Sequence, residues 1–191
     1  MNRRSSPLVP MVLTGVLAGL SLILEVFVHF PVLSAAPFLL YSPGDLPIIV
    51  ASILVGPFSG VAAAFINATL FVVFTGQGGP WGAFMHFVAS GGMAFVIGYL
   101  AKKTGALHFS MLAGILTRVA LMVPLNLVVT PIYMGVPRSV VAQMILPVIV
   151  PFNLIHAGLN TVLSYAALKA LPQRAAAFLA NGSQAGSGAR N

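Results

Sequence analysis

Apolar residues run in long blocks along this chain, and Pro, Gly and a few charges divide one block from the next. After Met1-Asn2-Arg3-Arg4 the first block covers residues 9–30. A charged start before an apolar run has the layout of a signal peptide, but no small-residue cleavage site closes it before Pro31, so it reads as a retained first helix. Residues 31–45 carry Pro31, Pro37, Pro43 and Gly44, which interrupt helices; their apolar Phe38-Leu39-Leu40 predicts a loop folded back onto the protein. The next run, 46–55, stops at Gly56-Pro57 and is too short to cross a bilayer alone, which predicts a tilted half-length helix or one of a closely packed pair. A third run covers 58–74, and turn chemistry over 75–82 separates it from a fourth, 83–101, closed by Lys102 and Lys103. The fifth covers 109–130. A loop with Pro131, Tyr133, Gly135, Pro137 and Arg138 leads to the sixth, 141–168, which Pro147 and Pro151 should kink. The pattern therefore predicts an all-α integral membrane bundle of six transmembrane helices over residues 1–172. The Ala/Gly/Ser-rich residues 173–191 read as a disordered cytoplasmic tail.

Composition sharpens this. With 59% hydrophobic and 6% charged residues and a mean hydropathy of +1.02, the chain is far from the roughly 25% charged content of soluble domains. Spans of about 20 residues use up the length, leaving no room for a separate soluble catalytic domain. The absence of Cys removes disulfides and thiolate chemistry. The net charge of +7 does not indicate nucleic acid, because Lys and Arg stand singly or in pairs beside apolar runs, where topology determinants belong. With six spans, Arg3, Arg4, Lys102, Lys103, Lys169, Arg174 and Arg190 collect on one side and Arg138 on the other. That bias predicts both termini in the cytoplasm of a cell-membrane protein, with the three Pro/Gly-rich loops outside.

A polar side chain within a span costs about 2.5–3.5 kcal/mol at mid-membrane, so each needs a reason. Glu25, Asn67, His86, Asn126 and Asn153 fall in the outer halves of their predicted helices, with His156 just below, and Arg118 and Asn160 complete the set. Convergence at one depth suits a binding pocket open to the outside; the alternative is interhelical packing glue, worth about 0.6–2 kcal/mol each. Asp45, ahead of Leu46-Pro47, suits a helix cap more than a ligand contact. Arg118, near mid-span, calls for snorkelling or an ion pair, with Glu25 as a candidate partner. Asn153, His156 and Asn160 share a helix face, but no second His or carboxylate joins them, so neither metal nor cofactor is expected. Two acidic residues and no catalytic motif argue against an enzyme.

Three blocks carry a resemblance. Pro37-Phe38-Leu39-Leu40-Tyr41-Ser42-Pro43-Gly44-Asp45-Leu46-Pro47 with Gly56-Pro57-Phe58-Ser59-Gly60, then Pro124-Leu125-Asn126-Leu127-Val128-Val129-Thr130-Pro131-Ile132-Tyr133-Met134-Gly135-Val136-Pro137-Arg138, and Ile149-Val150-Pro151-Phe152-Asn153-Leu154-Ile155 resemble the riboflavin-type S components of energy-coupling factor (ECF) transporters. The resemblance implies six helices enclosing one vitamin near the outer face, with a membrane T subunit and two ATP-binding subunits driving release inward. It makes Asn126 and Asn153 ligand-facing, with Thr130 beside them. His156 stands where that pattern usually has Lys, Asn67-Ala68 where it has a Lys-Asn pair, and His86 where it has Asn. A flavin-like ring suits the aromatic and polar types at Phe38, Tyr41, Trp81, Asn126, Asn153 and His156, although Tyr41 and Trp81 equally suit interfacial anchors. No Arg/Lys cluster on the outer side invites a phosphate. Gly15, Ala18 and Gly19 form a small-residue patch on the first helix where, by the same resemblance, the T subunit would dock. The readings that compete with a riboflavin S component are an S component for another vitamin or precursor and a non-transport membrane scaffold. A self-sufficient secondary transporter is disfavoured by the scarcity of carboxylates.

Overall fold

A computed structural model describes residues 8–34, 36–37 and 39–172; Phe38, Arg3, Arg4, Arg174, Arg190 and the expected tail at 173–191 lie outside the described residues. The elements are α1 (Leu8–Phe27), β1 (Phe30–Pro31), β2 (Leu40–Tyr41), α2 (Asp45–Leu54), α3 (Pro57–Thr75), α4 (Gly79–Thr104), α5 (Leu107–Met134), α6 (Arg138–Met144), a π-helical turn (Ile145–Ile149) and α7 (Val150–Ala170). Among the described residues five segments are long and apolar enough to cross a membrane: α1, α3, α4, α5 and the continuous unit Arg138–Ala170. The short run at 46–55 forms a half-length helix as expected, the ten-residue α2, about 15 Å long at 1.5 Å per residue and so half a crossing. The all-α expectation is corrected at one place, where β1 and β2 pair antiparallel, Phe30 opposite Tyr41 and Pro31 opposite Leu40.

Proline explains the other differences from the sequence reading. Pro80 sits in the first turn of α4, where its missing N–H has no partner to lose, so the expected loop 75–82 shrinks to 76–78, with Gly76 and Gly78 in the left-handed region at φ 69° and 72°. Pro124 and Pro131 are both inside α5, which continues to Met134 and reduces the expected loop 131–140 to 135–137. Pro147 lies in the π turn: a proline ring clashes with the preceding turn of an α-helix, and widening that turn relieves it.

From the hairpin, residues 42–44 lead into the bundle. Asp45 reaches Ser90 and Arg118, near the middle of α4 and α5, and α2 runs on from there. Irregular backbone at this depth must have its polar groups satisfied by protein. Ser21 Oγ of α1 donates to Gly44 O at 2.6 Å, and Asn160 Nδ2 of α7 donates to Ser42 O at 2.9 Å. A Cβ at Gly44 would lie 3.0 Å from Glu25 Cβ and 3.3 Å from Ser21 O, so the close approach to α1 favours glycine.

Helix α2 is the centre of the core. Ile48 and Ala51 join Ala18, Ala63, Ala64 and Ala94, while Ile49 joins Met93, Ile97, Met111 and Ala157. These small residues let backbones approach, which is how helices gain contact where lipid is as apolar as the side chains. Large side chains such as Val12, Val16, Ile23 and Phe27 are exposed on α1, as a lipid-facing surface requires. Gly98 makes the tightest backbone approach to α2: a Cβ there would stand 2.5 Å from Ser52 O and 3.1 Å from Pro57 Cα. Gly98→Ala should therefore cost about 1–3 kcal/mol by overpacking. Thermal unfolding in detergent checks this, with Gly158→Ala, whose Cβ meets nothing within 4 Å, expected to leave the unfolding temperature unchanged or slightly raised.

Candidate functional site

The bundle interior holds a charged network. Arg118 Nη1 lies 2.6 Å from Asp45 Oδ2 and donates to Ser90 Oγ at 3.2 Å, while its Nε donates to Asn153 Oδ1 at 3.2 Å. Asp45 and Arg118 are 1% and 4% exposed, so the pair is fully desolvated. Two sequence expectations are corrected here. Arg118 pairs with Asp45 rather than Glu25, because the descending loop brings Asp45 to mid-span whereas Glu25 stays near the hairpin end of α1. Asp45 does not cap α2: no side-chain cap is made, and its carboxylate faces Arg118 instead.

Asn153 and His156 belong to this network. Asn153 Nδ2 donates to Ile149 O at 2.9 Å, and His156 Nδ1 is 3.4 Å from Asp45 Oδ2. Tyr41 stacks edge-on against His156 with ring centroids 5.3 Å apart, and against Phe30 on its other side. Asn67 is buried and donates to Ser21 Oγ at 2.7 Å, the hydroxyl that holds Gly44. These residues support the loop from beneath.

Above them, at the hairpin end, lies a cavity of about 340 Å³ between Leu39, the start of α4, the end of α5, α6 and the π turn. Met85, Met122, Met134 and Met144 line it, and its polar wall is Asn126 with Thr130. Thr130 Oγ1 donates to Asn126 Oδ1 at 2.9 Å, and Asn126 Nδ2 donates to Met122 O at 2.8 Å. Thioethers are polarisable and adapt to flat rings, so the lining suits an aromatic ligand that finds a few polar atoms on one side. The methionines escaped sequence reading, although Met122, Asn126 and Thr130 recur every four residues and mark one stripe of α5.

The remaining candidates lie elsewhere. His86 borders a smaller cavity with Glu25, its Nε2 3.5 Å from Glu25 Oε2. Trp81 is half-exposed and outside the lining of the methionine cavity. On α1, added side chains at Gly15 and Gly19 would meet nothing within 4 Å, whereas Ala18 is fully buried in the core.

Comparison with known proteins adds three findings. The chain matches the family described as ECF-type riboflavin transporter, S component, over residues 8–173. It is 29% identical over 173 residues to the riboflavin transporter RibU of Streptococcus thermophilus, covering 82% of this chain and 81% of that protein. It is similar in fold to a solved structure titled "Structure and mechanism of the S component of a bacterial ECF transporter", with a TM-score of 0.75 at 21% identity, over 91% of this chain and 99% of the other.

The ion pair makes a test of the network. Removing one partner of a desolvated pair strands a charge and costs about 3–5 kcal/mol. Asp45→Asn and Arg118→Met should each lower the unfolding temperature in detergent sharply, and the double variant should recover a large part of the loss. Losses that simply add would show that the two side chains act independently.

Proposed function

The chain belongs to the family of S components of ECF-type riboflavin transporters, and from that membership we propose that it captures riboflavin or a closely related ring compound for import. It is a multi-pass membrane transport protein of a family that is not enzymatic. The observation that carries the substrate reading is the methionine-lined cavity of about 340 Å³ with Asn126 and Thr130 on one wall. Its thioethers offer polarisable surface to both faces of a fused ring, and the amide and hydroxyl offer hydrogen bonds to ring carbonyl and imide groups. The likeness to RibU supports the same reading.

In the proposed topology the hairpin end faces outward, both termini are cytoplasmic, and the descending loop with α2 makes one of six crossings of the plasma membrane. Lys102, Lys103 and Lys169 then lie at the inner end and Arg138 at the outer end, in accord with the positive-inside rule. Release inward is assigned to a T subunit with two ATP-binding subunits. Their docking surface is proposed on the inner half of α1, where Gly15 borders an open groove of about 340 Å³ that also touches Phe58 and Ser59 at the start of α3. Ala18 takes no part, being buried.

Two experiments test this. Purified protein should bind riboflavin one to one, followed by quenching of flavin fluorescence, and Asn126→Leu with Thr130→Val should weaken binding by about ten- to a hundredfold while the fold persists. If a panel of B vitamins and precursors gives no heat of binding, the vitamin reading falls. Gly15→Trp with Gly19→Leu should leave riboflavin affinity unchanged and abolish uptake in vesicles containing the T subunit and ATPases. Lost binding with the partners still co-purifying would refute the docking assignment.

A further inference from the structure

The chain has two side-chain carboxylates against nine Lys and Arg. Asp45 is committed to Arg118 at mid-bundle, and Glu25 lies beside His86 near the hairpin end. Lys102 and Lys103, which close α4, and Lys169, which closes α7, stand at the opposite end. All three are exposed, and no carboxylate side chain of this chain is left to pair with them. Their countercharge comes from outside the chain.

One of these cations belongs to a cluster built by two helices. Tyr165 of α7 is half-buried, packed against the apolar group that contains Met111 and Ala157, so its ring is fixed in the seam between α5 and α7. On this ring converge the ammonium of Lys169, with Nζ 5.7 Å from the ring centre, and the exposed imidazole of His108 from the first turn of α5, with centroids 5.0 Å apart at 47°. The ring face attracts the ammonium, and the other N–H groups of Lys169 remain free to donate outward. An imidazole keeps at least one N–H in every protonation state, and the phenol adds an O–H. Three donors, one of them a full positive charge, thus gather where the chain supplies no anion. Phosphate oxygens accept such bonds, and those to a charged donor are the stronger ones.

The surface next to the cluster indicates how the phosphate arrives. Leu112 and Leu116 follow His108 at four-residue spacing on α5, Val162 precedes Tyr165 by one turn on α7, and all three are exposed. Polar donors therefore give way directly to open apolar side chains, with the tyrosine at the boundary, as amphipathic rings sit at headgroup level. A free phosphate would leave that apolar surface uncovered. A phosphodiester that carries acyl chains covers it.

We propose that Lys169, His108 and Tyr165 hold the headgroup of an anionic phospholipid in the leaflet at this end of the bundle, with its acyl chains along the exposed faces of α5 and α7. The site is independent of the vitamin reading, since it lies at the end of the bundle away from the methionine cavity.

The test uses full-length protein, delipidated in a neutral detergent at physiological ionic strength. It is titrated with phosphatidylglycerol and with phosphatidylcholine of the same acyl chains, and bound lipid is counted by native mass spectrometry. The wild type should retain phosphatidylglycerol with a preference of about fivefold or more. Lys169→Gln and His108→Leu should each bring that preference below about twofold, whereas Lys102→Gln, which removes the same charge from the same end of the bundle, should leave it nearly intact. Both cluster positions are exposed, so the unfolding temperature in lipid-free detergent should not move; should one variant fold poorly, the other decides. Wild-type protein without the preference, a preference that survives in the cluster variants, or an equal loss in Lys102→Gln overturns the site. Millimolar inorganic phosphate should not displace the bound lipid, and displacement would overturn the lipid assignment in favour of a simple anion site.

Discussion

The contact between Asp45 and Arg118 sets the position of everything at the hairpin end. It joins residues 73 apart in sequence and fixes the depth at which irregular chain becomes α2. A desolvated ion pair of this kind contributes little net stability compared with well-packed apolar side chains; what it supplies is a single permitted arrangement, because any other leaves a charge stranded in hydrocarbon. With Asp45 held at mid-bundle, Ser42 and Gly44 come within reach of Asn160 and Ser21. The loop can then form a wall of the methionine cavity rather than trail outside.

Polar side chains inside this bundle do two kinds of work. Ser21, Asn67, Asn153 and Asn160 hydrogen-bond to loop carbonyls, to helix carbonyls, to Arg118 or to one another, and so keep nonhelical chain tolerable at membrane depth. Asn126 and Thr130 bond locally along one helix and keep their outer surfaces toward the cavity. In an S component, whose ligand must be bound and then surrendered, this separation matters. The groups that hold the protein together are distinct from those proposed for the ligand, so occupancy could change without dismantling the core.

The spans were legible because charge and hydropathy contrast so sharply in this chain; their ends were not, because proline was read as a stop. Pro80 opens a helix and Pro131 is carried within one. Which face of a span points inward was also hidden, since these helices are apolar all round and lack the polar stripe that orients a soluble helix. Gly15, Ala18 and Gly19 looked like one patch at three- and four-residue spacing. Ala18 and Gly19 are nevertheless about 100° apart on the helix, enough for one to be buried while the other stays open. Of the site, Asn126 and Thr130 could be singled out from their block. The partnership of Asp45 with Arg118 could not, because it depends on a loop descending to mid-bundle, and no local pattern encodes that depth.

The π turn at Ile145–Ile149 acts on helical phase. Met144 and Ile149 border the same cavity although five residues separate them; on an uninterrupted α-helix that spacing would rotate one about 140° away from the other. Geometrically, the widened turn is equivalent to one residue inserted into a regular helix. The Arg138–Ala170 unit thereby runs on two registers: Val141 and Met144 meet the cavity above it, and Asn153, His156 and Asn160 face the core below. A strictly α-helical segment of the same composition could keep either alignment but not both, so the irregular turn is what lets one continuous span line the cavity and the charged interior together.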